Sequence, residues 1–82
     1  MKDKEFHIGK LIKAKLQEEE RSEAWLARKV HCNPGNFNRI LRKQSIDMDL
    51  LKRISEAMNF NFCRIYSEYV QENIDENGEE LK

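Results

Sequence analysis

The sequence predicts an all-α fold of five short helices. Three observations lead there. Apolar residues recur at helical spacing in five separate segments. No segment alternates apolar and polar residues over a useful strand length. Ser22, Asn33, Asp47 and Asn61, all side chains able to cap a helix, stand just ahead of the last four segments. A length of 82 residues suits one small domain, and a composition 39% hydrophobic and 37% charged supplies a modest core. The expected organisation is a polar segment over 1–7, a helical domain over 8–70 and an acidic tail over 71–82.

Residues 1–6 are expected to fray. Ile8, Leu11, Ile12 and Leu16 then mark a first helix running to about Glu19, with lysines on its other faces. Ser22 caps a second helix whose first turn holds Glu23, and Leu26, Ala27 and Val30 form its apolar side. Trp25 flanks that stripe and is expected at the core's edge. His31 is expected to leave the helix in the left-handed conformation, at a cost of about 1 kcal/mol relative to glycine. Cys32 follows as an apolar plug and Asn33 caps the third helix. Pro34 takes the first helical position, where no amide hydrogen is needed.

The third helix is expected over about Pro34 to Lys43. Phe37, Ile40 and Leu41 make its buried stripe, with Gln44 on the same side. The opposite side centres on Gly35, Arg39 and Arg42, flanked by Asn36, Asn38 and Lys43, with no acid among them. Asp47 caps a fourth helix through Met58, carrying Leu50, Leu51 and Ile54, and Asn59 suits a left-handed terminator. Phe60 and Asn61 repeat the plug-and-cap logic of Cys32 and Asn33. The fifth helix carries Phe62, Ile65, Tyr66 and Tyr69, and the Phe60–Val70 aromatic cluster is expected to be mostly core, with part of it left for a dimer contact.

Formal net charge is zero, but the charges are segregated. From Arg21 to Lys43 six bases stand against Glu23, a balance of +5; from Glu68 to Lys82 six acids stand against one base, a balance of −5. Local field, not total charge, steers a polyanion, so the neutral sum does not count against a nucleic-acid partner.

Other classes find little support. No run approaches the roughly 18 apolar residues of a membrane span. The start, MKDKEFHIGK, lacks a signal peptide's apolar segment, which sets the expectation of a cytoplasmic protein without membrane contact. Cys32 and Cys63 read as reduced, buried thiols. With His7 and His31 they are the right atoms for zinc but lack any recognised ligand spacing, so no metal or other cofactor is expected. The histidines are isolated, no nucleophile has a base at a known spacing, and no glycine loop cradles phosphate, so neither an enzyme nor a small-molecule ligand is expected.

Residues 8–70 resemble the phage-repressor and Cro-like helix-turn-helix family, often called XRE, in its small single-domain form. The residues that carry the resemblance are Ser22, Leu26-Ala27, Val30, His31, Cys32, Phe37, Ile40 and the Leu50-Leu51-Ile54 helix, with the segment RKQSIDMDLLKRISEAMNFNFCRIYSEY behind them. The resemblance implies a five-helix lambda-repressor-like fold with the helix-turn-helix at the second and third helices. It implies that the third helix enters the major groove of double-stranded DNA while its partner spans the backbone. By position, base contact falls to Pro34, Gly35, Asn36, Asn38 and Arg39, and phosphate contact to Ser22, Asn33, Arg42 and Lys43. Arg39 can pair bidentately with guanine, and Asn36 or Asn38 with adenine.

Three positions depart from the family pattern: His31 stands where glycine is usual, Glu23 where glutamine is common, and Pro34-Gly35 leaves the first turn without polar side chains. Glu23 would face a phosphate with like charge. The resulting expectation is a homodimeric, sequence-specific transcriptional regulator. The alternative is a protein-interaction module that keeps the fold without binding DNA.

Overall fold

The computed structural model describes residues 6–77. Among them are five α-helices and no strand: α1 (Ile8–Glu18), α2 (Glu23–Lys29), α3 (Pro34–Arg42), α4 (Met48–Met58) and α5 (Phe62–Asn77). α1 packs on α3 and α5, α2 packs on α3 and α4, and α4 packs on α5. None of these helices is long and apolar enough to cross a membrane.

Each helix after the first begins where an oxygen-bearing side chain can take an orphan amide. Ser22 Oγ accepts from the Trp25 amide at 3.0 Å, Asn33 Oδ1 from Asn36 at 3.1 Å, Asp47 Oδ2 from Leu50 at 3.1 Å and Asn61 Oδ1 from Arg64 at 3.0 Å. α1 uses a less usual cap: His7 Nδ1 accepts from the Lys10 amide at 3.2 Å.

Three helices end in the same way, with a residue at positive φ and a pair of bonds closing back on the last turn. Glu20 (φ 59°) ends α1, His31 (φ 61°) ends α2 and Asn59 (φ 53°) ends α4. In each, the following amide reaches back to a carbonyl five residues earlier: Arg21 to Leu16 at 2.9 Å, Cys32 to Ala27 at 2.7 Å and Phe60 to Ser55 at 3.0 Å. His31 and Asn59 thus adopt the conformation expected of them, and Glu20 does so at a position the sequence pattern did not single out.

The core gathers one stripe from every helix. Ile8, Ile12 and Leu16 of α1 meet Leu26, Ala27 and Val30, then Phe37 and Leu41 of α3, the Leu50-Leu51-Ile54-Met58 stripe of α4, and Phe62. Phe37 and Phe62 are both fully buried and each contributes about 1.5–3 kcal/mol relative to exposure. α1 comes close to the α3 backbone at Gly9. A Cβ there would lie within 1.8 Å of the Leu41 carbonyl oxygen, so α1 crosses α3 at a separation that only glycine permits.

Four expectations need correction. Phe6 does not fray: its ring stacks on Tyr69 at 4.7 Å and tilts against Tyr66 at 5.3 Å, because an aromatic side chain next to an aromatic helix face gains more than it loses in chain freedom. The fifth helix does not stop near Val70 but continues through Asn77, into the segment expected as an acidic tail; the remainder of that segment, 78–82, lies outside the described residues. The Phe60–Val70 cluster is not mostly core. Only Phe62 is fully buried, while Tyr66 and Val70 are 41% and 37% exposed, since α5 runs past the helices that would cover them. Both cysteines are free thiols, and they are half-buried rather than enclosed.

Candidate functional site

α2 and α3 meet across a short connection whose backbone is fixed on both sides. The Cys32 amide closes back on Ala27, and Arg53 of α4 donates to the Val30 carbonyl at 3.0 Å. The turn therefore rests on α4 as well as on its own helices. At the other end of α3, the His7 imidazole Nε2 lies 3.0 Å from the Arg42 carbonyl oxygen. With Nδ1 accepting from Lys10, Nε2 carries the proton and donates. One side chain thus ties the start of α1 to the last turn of α3.

The outward side of α3 is polar and clear of acids. Gly35, Asn36, Arg39, Arg42 and Lys43 are exposed. Among the described residues, no carboxylate forms an ion pair with Arg28, Lys29, Arg39, Arg42 or Lys43. Arg39 and Asn36 form a unit, with Arg39 Nη2 donating to Asn36 Oδ1 at 3.1 Å. Helical spacing of i, i+3 sets them on neighbouring turns of one face. Gly35 has no positive φ, so its backbone does not require glycine. A Cβ added at Gly35 would lie 3.3 Å from Asn33 Oδ1, the oxygen that caps α3, so that oxygen would have to give slightly.

Asn38 stands apart from the other candidates. It is half-buried, and its Nδ2 donates to Glu23 Oε1 at 2.8 Å. The second Glu23 oxygen, Oε2, pairs with Lys13 Nζ at 3.6 Å. Glu23 therefore joins α1, α2 and α3, and its charge is met within the protein. Ser22 and Asn33 are exposed, and each uses its oxygen as a cap acceptor. The Ser22 hydroxyl hydrogen and the Asn33 amide hydrogens remain available as donors to an anion.

Near the start of α2, Trp25 is half-buried and packs against the core. Arg21 lies over its ring at 4.2 Å and Lys29 at 5.8 Å, so both cations sit on this flank with their stems held by the indole. Together α2 and α3 present cations along one edge and a short row of neutral and cationic donors on the other. That arrangement can bind a polyanion and present hydrogen-bond donors to flat polar edges. Among the described residues no group of three or more His, Cys, Asp or Glu is placed to hold a metal ion.

Sequence reasoning missed three contributors: His7, Glu23 as a junction, and Gly9. The signal for Gly9 was present, since it lies one and two turns from Ile12 and Leu16 on the buried side of α1. Glu23 meets Asn38 only through tertiary packing, and no spacing rule announces that pair. No protein-family model, no curated protein and no solved structure matches this chain.

Proposed function

We propose that this protein binds double-stranded DNA sequence-specifically and acts as a transcriptional regulator. In this reading α2 and α3 form a helix-turn-helix of the phage-repressor and Cro-like kind, as the sequence resemblance implies, and α3 enters the major groove. The observation that carries it is the exposed side of α3: Gly35, Asn36, Arg39, Arg42 and Lys43, with no acid beside them and no ion pair to a carboxylate among the described residues. Arg42 and Lys43, with Ser22 and Asn33 as neutral donors, hold phosphates and supply affinity and register. Asn36 and Arg39 meet base edges, and Gly35 lets the backbone come close. The Glu23 carboxylate, taken up by Lys13 and Asn38, offers phosphate less repulsion than a free acid in that position.

The reading includes a homodimer on half-sites about one helical turn, roughly 34 Å, apart. What supports it is an apolar stripe along α5 that the chain's described residues leave open: Tyr66, Val70 and Ile74, the last 53% exposed. Beside it lies a groove of about 430 Å³ lined in part by Phe6, Ile46, Met48 and Tyr69. A second copy would bury both. Sedimentation of wild type and Ile74→Asp over a range of concentrations tests this part, and a dimer unaffected by the substitution counts against it.

Selection from a randomised duplex library tests the whole. The expected result is an enriched palindrome whose binding weakens steeply with salt. Absence of DNA affinity at low salt overturns the reading and favours an interaction module.

A further inference from the structure

We infer that the Asn36–Arg39 pair makes α3 a reader of guanine, and that Asn36 does not read adenine while Arg39 is beside it. The inference rests on the DNA-binding reading above and names what that surface selects. Three observations on the outward side of α3 lead to it. Arg39 Nη2 donates to Asn36 Oδ1 at 3.1 Å, so the exposed amide oxygen of α3 already holds a cationic donor on one of its two lone pairs. Asn38, the other amide in reach, has its Nδ2 committed to Glu23 at 2.8 Å and is half-buried. Pro34 and Gly35 bring no side-chain donor or acceptor.

The inventory that remains is weighted towards donors: Asn36 Oδ1 keeps one lone pair, beside the Arg39 cation, and Asn38 Oδ1 belongs to a half-buried side chain. Arg39 keeps four of its five N–H donors and has no acceptor. Asn36 keeps the two hydrogens of Nδ2. Adenine presents an acceptor and a donor in the major groove, so an amide must offer both an oxygen and an N–H to read it. A donor from adenine would have to share Oδ1 with the Arg39 guanidinium. Guanine presents two acceptors, N7 and O6, and thymine presents O4, so a donor-rich surface matches them without crowding a second donor against the Arg39 cation. Cytosine's amino group is a donor and is disfavoured for the same reason. The pair therefore selects a half-site with guanine opposite Arg39 and an acceptor edge, guanine or thymine, opposite Asn36.

Arg39 here specifies the base directly, and Asn36 does so both by its own N–H and by fixing the guanidinium. Asn38 is a positioning residue: through Glu23 it sets α3 against α2 and α1. The two amides of one helix thus have different tasks, decided by which neighbour claims each of them.

The experiment is selection from randomised duplex, followed by anisotropy titrations on the enriched site, with wild type, Arg39→Ala, Asn36→Ala and Asn38→Ala. Wild type is expected to enrich guanine at one position of each half-site and guanine or thymine beside it. Arg39→Ala weakens the selected site on the order of tenfold to hundredfold. Because it also releases Oδ1, the neighbouring position gains adenine. Asn36→Ala retains guanine but relaxes the neighbouring position. Asn38→Ala lowers affinity for selected and random duplex alike, with the base profile unchanged.

A wild-type profile with adenine at the Asn36 position, or an Arg39→Ala profile with no gain of adenine, overturns the inference while DNA binding stands. Loss of all DNA binding by wild type at low salt removes the underlying reading, so the two failures are distinguishable. Circular dichroism checks folding; Asn36 and Arg39 are exposed, and neither is part of the core.

Discussion

The two sides of α3 follow different rules. Its inner side buries Phe37 and Leu41 and lies against Gly9 at a distance that admits no additional atom. Its outer side holds an exposed Gly35 beside the capping oxygen of Asn33, and a row of exposed donors. Both sides contain a glycine contact, but for opposite reasons. Gly9 is required because a helix is too near, whereas Gly35 lies on the exposed first turn. The inner side fixes stability and the outer side is proposed to carry recognition, both within nine residues. Substitutions that respect this division should alter one property and spare the other.

The largest effect is expected for Gly9→Ala. Its Cβ would collide with the Leu41 backbone, which cannot turn aside as a flexible side chain does. α1 and α3 must separate, at a loss of about 3 kcal/mol, the upper end for overpacking. Urea unfolding should show a lowered midpoint with an unchanged slope. A variant within about 0.5 kcal/mol of wild type would mean that the crossing yields, erasing the contrast between the two sides.

Next comes His7→Ala, which removes the α1 cap and the bond to the Arg42 carbonyl together. A loss of about 1–2 kcal/mol is expected. Amide exchange should quicken in the first turn of α1. Unchanged exchange there would show that water replaces the imidazole without loss.

Glu23→Ala sharpens the comparison, because Glu23 links the inner and outer regions. Losing the half-exposed bonds to Asn38 and Lys13 should lower stability by about 1 kcal/mol. It also removes a negative charge near the proposed phosphate path. Stability should therefore fall while DNA affinity at a fixed low salt falls less than stability predicts, or rises. Parallel losses in both would leave Glu23 a structural junction only and remove its proposed effect on the phosphate path.

The smallest stability change is expected for Gly35→Ala, within about 0.5 kcal/mol, since alanine's preference for helix is set against a methyl 3.3 Å from the Asn33 oxygen that caps α3. DNA affinity is the discriminating measurement. A marked drop at constant stability would support close backbone approach, and an unchanged affinity would remove that role from Gly35.

The elements of the fold were largely legible because their signals are local. Ser22, Asn33, Asp47 and Asn61 announce helix starts through side-chain chemistry within three residues, and His31 and Asn59 announce helix ends in the same range. What stayed hidden depends on residues far apart in the chain. Phe6 is ordered by Tyr66 and Tyr69 on α5, and His7 by Arg42. The candidate site divides along the same line. A helical wheel places Asn36, Asn38 and Arg39 on the outer arc of α3 but cannot say that Glu23, fifteen residues earlier, will draw Asn38 inward. Nor can it distinguish a helix that ends at Val70 from one that continues to Asn77, because charged residues are as compatible with an exposed helix as with coil.

The clasp made by His7 also bears on where this domain can be cut or fused. A boundary drawn from helix limits would start a fragment at Ile8 and discard the residue that caps α1. Such a fragment would retain every helix and nearly the whole core, yet leave the Arg42 carbonyl and the Lys10 amide without their protein partner. The last turn of α3, next to the cations proposed to hold phosphate, would lose its hydrogen bond to His7 while keeping the Gly9–Leu41 contact. Reporter labels and linkers should therefore join ahead of Phe6, so that the two residues before the first helix remain part of the folded unit.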